Sequence, residues 1–129
     1  MGRKRQRGGD RWLLTHGLPV LAYVALIFVI SAQPNLKPPL QFDNSDKLYH
    51  LAEYGGLGLL LARAIRATGR FAHGVHAGLA ALCVGIVIAT ADEMFQSTVP
   101  GRIASGFDLM ADTLGLIAAV LVYAAWARE

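Results

Sequence analysis

The sequence predicts an all-α integral membrane bundle of four transmembrane helices, with both termini in the cytoplasm. Three observations carry that expectation. Four apolar stretches are each close to one bilayer crossing in length. The chain is 54% hydrophobic and only 16% charged, against about 25% charged in an average soluble domain, and its mean hydropathy is +0.43. Its basic residues crowd one set of stretch ends. A bundle of this kind fills a chain of 129 residues, so the expected organisation is a basic cytoplasmic N-terminus over residues 1–11 and a single transmembrane domain over residues 12–129.

The first apolar run covers residues 12–32, long enough for the roughly 20 apolar residues that a spanning helix needs. Pro19, near its start, is the place for a kink. The basic residues before it and the small Ser31 and Ala32 at its end also fit a signal peptide, but the polar residues at that end belong with those of the later helices, which argues that the segment is retained. Pro34, Pro38, Pro39, Asp43 and Asn44 make residues 33–45 a loop. The second span is expected at 46–66, the third at Gly74–Gln96 and the fourth at 107–126, joined by a short turn with Gly69 and Arg70 and by a loop with Pro100, Gly101 and Arg102.

Orientation follows from lysine and arginine asymmetry. One side holds nine such residues: Arg3, Lys4, Arg5, Arg7, Arg11, Arg63, Arg66, Arg70 and Arg128. The other holds three, Lys37, Lys47 and Arg102. Both termini are therefore expected inside, and both polar loops outside. The net charge of +3 reads as topology rather than nucleic-acid binding, because the bases sit at helix ends and not in a patch with exposed aromatics. Cys83 is the sole cysteine; no internal disulfide or thiolate metal site is possible, and its apolar neighbours suit a small core residue. Trp12, Tyr23, Tyr123 and Trp126 read as interface anchors or packing residues. Small residues four apart, such as Gly58 and Ala62 or Gly115 and Ala119, predict close helix packing or a homo-oligomer face.

The chemistry lies at the outward ends. The second span opens Asp46-Lys47-Leu48-Tyr49-His50-Leu51-Ala52-Glu53-Tyr54. Helical spacing aligns Asp46, His50 and Glu53, with Lys47 and Tyr54 on the flank, and sets Glu53 roughly 10 Å deeper than Asp46. The third span ends Asp92-Glu93-Met94-Phe95-Gln96 and the fourth opens Asp108-Leu109-Met110-Ala111-Asp112. Arg102, in the loop between them, is expected to fold back over these carboxylates, since a guanidinium grips carboxylate or phosphate bidentately. Ionisable groups at membrane depth need partners, water or a function. The candidate ligand-binding residues are Lys47, His50, Glu53, Tyr54, Glu93, Gln96, Arg102, Asp108 and Asp112.

Four readings suit this set. One is a closed internal network, in which Lys47 and Arg102 neutralise two carboxylates, His50 bridges others and Asp108 caps its helix. Two bases against six acids leave negative charge over. Another is a metal site, for which hard oxygen ligands would suit calcium or magnesium; no paired-histidine spacing supports it, and no metal or other cofactor is expected. Acid–base catalysis on a lipid-linked substrate would use His50, Glu53 or Glu93 for proton transfer. Proton-coupled transport of a small ligand would need an oligomer.

In their order, these residues resemble the VanZ-like family of bacterial membrane proteins, whose founding member is a teicoplanin-resistance protein. The resemblance rests on Ser31 and Pro34, on Asp46-Lys47 with His50 and Tyr54, on Glu93 with Gln96, on Pro100-Gly101-Arg102, and on Asp108, Asp112 and Gly115. The family often carries Asn where Asp112 stands. The resemblance implies a small multi-pass protein of the bacterial inner membrane and cell envelope. The partners expected are the bilayer and a lipid head group, a cell-wall precursor or an amphiphilic drug, with no nucleic acid.

Overall fold

A computed structural model describes residues 9–35, 37, 39 and 42–127. The basic Arg3, Lys4, Arg5, Arg7 and Arg128 lie outside them. Among the described residues the chain forms four helices: α1 (Gly9–Ser31), α2 (Ser45–Arg66), α3 (Gly74–Gln96) and α4 (Gly106–Trp126). The expected boundaries hold to within a few residues.

Three of these helices, α1, α3 and α4, are long and apolar enough to cross a membrane. The exception is α2, whose first turns carry Asp46, Lys47, His50 and Glu53; the sequence reading counted it with the apolar stretches. Its deeper half is apolar, and Tyr54, Leu57, Leu61, Ala62 and Ala64 are buried in the protein. Outward faces are aliphatic, with Leu14, Leu21, Val87 and Leu121 all exposed. A water-soluble protein rarely exposes so much contiguous apolar surface; a membrane protein turns it to lipid.

Helices α2, α3 and α4 form the tight part of the bundle, with α2 and α4 the most closely packed pair. Small residues make that approach possible. Gly58 lies against Ala119 and Leu116, and Gly85 against Leu116. Gly115 faces the backbone of α2 itself, opposite the Leu51 carbonyl and the Gly55 nitrogen. Leu116, Leu57, Tyr54 and Ile27 are the large side chains at the centre.

Helix α1 is laid against the outside of α2 and α3. Only 11% of its most apolar window is buried, compared with 28% in α3 and 33% in α4. Two polar ties hold it to α2. Trp12 Nε1 donates to the Ala64 carbonyl at 3.1 Å, and Tyr23 Oη donates to the Glu53 carbonyl at 2.9 Å. The tyrosine hydroxyl occupies the space that a Cβ at Gly56 would need. Both aromatics, expected as interface anchors or packing residues, are helix-to-helix clamps. A π-helical turn over Leu13–Gly17 precedes Pro19, a local adjustment that suits a proline ring pushing away the carbonyl of the preceding turn.

One expectation fails plainly. Cys83 is exposed, not part of the core. The lipid-facing and core-facing sides of such a helix are equally apolar, so neighbouring residues in sequence could not place it.

Candidate functional site

The polar end of the bundle lies where α1 and α3 finish and α2 and α4 begin. Antiparallel neighbours bring these four ends together, and every one of the expected polar groups within them takes part in a cross-helix contact, lines a shared cavity, or both.

Buried inside the bundle, Tyr54 is 0% exposed and donates its hydroxyl to Asp92 Oδ2 at 3.2 Å. Gln96 Nε2 donates to the same oxygen at 3.2 Å and to Ser31 Oγ at 3.1 Å. One amide and one phenol thus link α1, α2 and α3. Asp112 of α4, also 0% exposed, meets His50 of α2 at 2.8 Å between Oδ1 and Nδ1. An ionised carboxylate can only accept, so in that state Nδ1 donates and Nε2 is left as the basic nitrogen.

Nearer the rim, Lys47 is held between Asp46, at 2.6 Å, and Asp108 of α4. Asp46 itself is exposed; it pairs with Lys47 at the surface and lines one cavity with His50 and Glu53. Glu93 accepts from the Ser105 amide, and Ser105 Oγ accepts in turn from the Phe107 amide at 3.2 Å. Ser105 is therefore the N-cap of α4. Asp108, expected in that role, lies three residues further on in the first turn, where a negative charge suits the helix dipole. The Ser105-Gly106-Phe107-Asp108 spacing is itself a helix-start signature, and it could have identified the cap.

Asp92 Oδ1, Glu93 Oε2 and Asp112 Oδ2 are buried and have no partner among the described residues. Unpartnered buried carboxylate oxygens are costly, so the interior holds more acid than its bases neutralise, as the residue count implies. Among the described residues no three His, Cys, Asp or Glu side chains come together as a metal site would require.

Beside this network, a cavity of about 620 Å³ opens between α1 and α2. Leu26, Ile27 and Ile30 of α1 form an aliphatic wall, and His50 and Glu53 of α2 face them across it. Gln96 and Arg102 also line it, with Lys37 and Pro39 of the loop after α1. Of the nine sequence-derived candidates, His50, Glu53, Gln96 and Arg102 reach the cavity, while Lys47, Tyr54, Glu93, Asp108 and Asp112 serve the network behind it. Sequence reasoning passed over the part played by Tyr23, whose ring lines the cavity while its hydroxyl is bonded to α2.

Residues 11–127 match the family model of VanZ/LLP1. The chain belongs to the VanZ/LLP1 family. No curated protein and no solved structure matches it. The family match spans the whole polar end, and so covers both the buried network and the cavity of this VanZ/LLP1 chain.

Its Arg102 departs from expectation. It does not fold over the carboxylates of α3 and α4. Its Nε and Nη2 lie 3.4 Å from the Ser31 and Ile30 carbonyls, at the C-terminus of α1, where unsatisfied carbonyls and the helix dipole attract a cation. The turn sets this position: the Arg102 amide donates to the Val99 carbonyl at 3.1 Å, Pro100 precedes Gly101, and Gly101 has φ +81°. These are the marks of a type II turn, whose third position favours glycine. Among the described residues Arg102 has no carboxylate partner.

Proposed function

We propose that this VanZ/LLP1 protein binds the head of an amphiphile, such as an envelope lipid, a cell-wall precursor or an amphiphilic drug, in the cavity between α1 and α2. The observation that carries this reading is the lining. Charged groups of both signs, Arg102 and Glu53, share one concave surface with a run of aliphatic side chains from α1. A cavity of about 620 Å³ falls within the roughly 300–1,000 Å³ that binds small molecules. Polar groups at the membrane end with an apolar wall beside them match the two halves of an amphiphile.

The test is lipid retention in mild detergent, read by native mass spectrometry. Wild-type protein is expected to carry a phospholipid or precursor adduct that Arg102→Ala loses. An adduct equally retained by Arg102→Ala would remove this cavity from the account.

We further propose that all four helices span the inner membrane of a bacterium, with both termini cytoplasmic. Support comes from the nine-to-three division of Lys and Arg, and from the burial of the lower half of α2 within the bundle. Cysteine introduced at Ser97 in a Cys83→Ala background should react with an impermeant maleimide on intact cells. Labelling that needs permeabilisation reverses the orientation. The background substitution matters because Cys83 is exposed.

One observation favours a second reading, an enzyme acting on a lipid-linked substrate. His50 is oriented by buried Asp112 and lines the cavity beside Glu53, as a general base and its positioning carboxylate would be. His50→Gln should then retain lipid but lose turnover of that lipid. Turnover surviving the change would remove His50 as the base.

A further inference from the structure

We propose that the cavity between α1 and α2 takes a zwitterionic phospholipid head, a phosphodiester bearing a primary ammonium group, with the acyl chains lying along α1. This rests on reading the cavity as an amphiphile site and names the head-group class.

Of the three bases at the polar end, Lys37 lines the cavity from the exposed loop after α1, where Asp46 adds a charge of the opposite sign to the same lining; the other two are used differently. Lys47 is engaged by Asp46 and Asp108 and does not line the cavity. Arg102 does line it, and its contacts are two long ones to main-chain carbonyls. A guanidinium carries five N–H donors in a fork that matches two phosphate oxygens, so its recognition capacity is largely unspent. Glu53 lines the same cavity, and its carboxylate makes no hydrogen bond among the described residues; only its main-chain carbonyl does, to Tyr23.

Arg102 and Glu53 line one cavity, yet their charged groups are more than 4.0 Å apart and form no direct ion pair. Opposite charges that share a partly buried surface without meeting leave room for a group that bridges them. A purely anionic head satisfies Arg102 and sets a second negative charge against Glu53. A purely cationic head does the reverse. A phosphodiester with a tethered ammonium satisfies both, phosphate to Arg102 and ammonium to Glu53, where the carboxylate accepts hydrogen bonds from the N–H groups. Leu26 is exposed at the side of the cavity, and the aliphatic outer face of α1 continues from it through Leu21, giving the chains an apolar surface that is continuous with the bilayer.

The experiment uses the full-length protein, delipidated in detergent and offered equal amounts of phosphatidylethanolamine and phosphatidylglycerol, with adducts counted by native mass spectrometry. Wild type is expected to prefer phosphatidylethanolamine by about tenfold, the scale of one charge-assisted hydrogen bond. Glu53→Gln keeps the shape and removes the charge, so its preference should fall to near parity while phosphatidylglycerol binding persists; that persistence also shows that the variant is folded. Wild type holding phosphatidylglycerol as well as phosphatidylethanolamine overturns the zwitterion assignment and leaves the amphiphile reading standing. Undiminished preference in Glu53→Gln overturns the role of Glu53. Wild type holding neither lipid overturns this inference and the amphiphile reading together.

Discussion

Gly115→Val is expected to lower stability by about 3 kcal/mol or more, enough to remove most folded protein from the membrane. The cause is the closeness of α2 and α4. A Cβ at Gly115 would run into the Leu51 carbonyl oxygen and the Gly55 nitrogen, both main-chain atoms of α2. A clashing side chain can change rotamer, but two helix backbones can only move apart. Separating them would also disturb the Lys47–Asp108 and His50–Asp112 pairs, which join the same two helices. The measurement is thermal melting in detergent with the yield of monodisperse protein. Gly106→Ala is the control, since a Cβ there meets nothing within 4 Å, and its melting temperature should stay near that of wild type. A Gly115→Val protein with wild-type melting would mean that α2 and α4 are not in backbone contact.

The second large effect concerns the buried pair. His50→Leu is expected to cost about 3–5 kcal/mol, the range for breaking a buried charged pair by removing one partner. Asp112 is fully buried, His50 is the partner of its Oδ1, and its Oδ2 has none among the described residues. The substitution therefore leaves a carboxylate in an apolar interior with neither oxygen bonded. The double variant His50→Leu with Asp112→Leu should recover most of the loss, because two apolar groups can replace a buried pair at little net cost. The readout is a double-mutant cycle in melting temperature. If the double variant melts as low as the single one, the pair is not a closed unit, and His50 makes its main contribution elsewhere. His50→Gln retains an amide donor for Asp112, which makes it the right variant for separating turnover from folding.

Periodicity and polarity in the sequence were enough to find the helices and to put the ionisable groups at one end. Hydrocarbon length sets the span of an apolar run, and Pro34, Pro39 and Gly69 interrupt the chain between runs. Alternating helix direction then brings the end of α3 beside the start of α4, whatever the side chains do. The same local signals carried the small residues of the α2–α4 contact and the motif order of the VanZ/LLP1 family.

Partner choice was not legible in that way. Lys47 and Arg102 are equivalent as sequence symbols, but one is captured by Asp108 across the α2–α4 contact and the other is drawn to the carbonyl end of α1. That difference arises from a type II turn and from where α1 happens to lie, neither of which is a local property of either base. Glu53 and Asp112 look alike along the chain. Packing gives Asp112 a histidine in the interior and leaves Glu53 on a cavity wall. Cys83 shows the same limit on the apolar side, because the face toward lipid and the face toward protein have one composition. Apolar length and helix spacing are fixed by each segment alone, so the sequence determined the helices and the polar end. Which charge meets which, and which is left facing a cavity, depends on how several segments sit together, and it emerged only in the folded bundle.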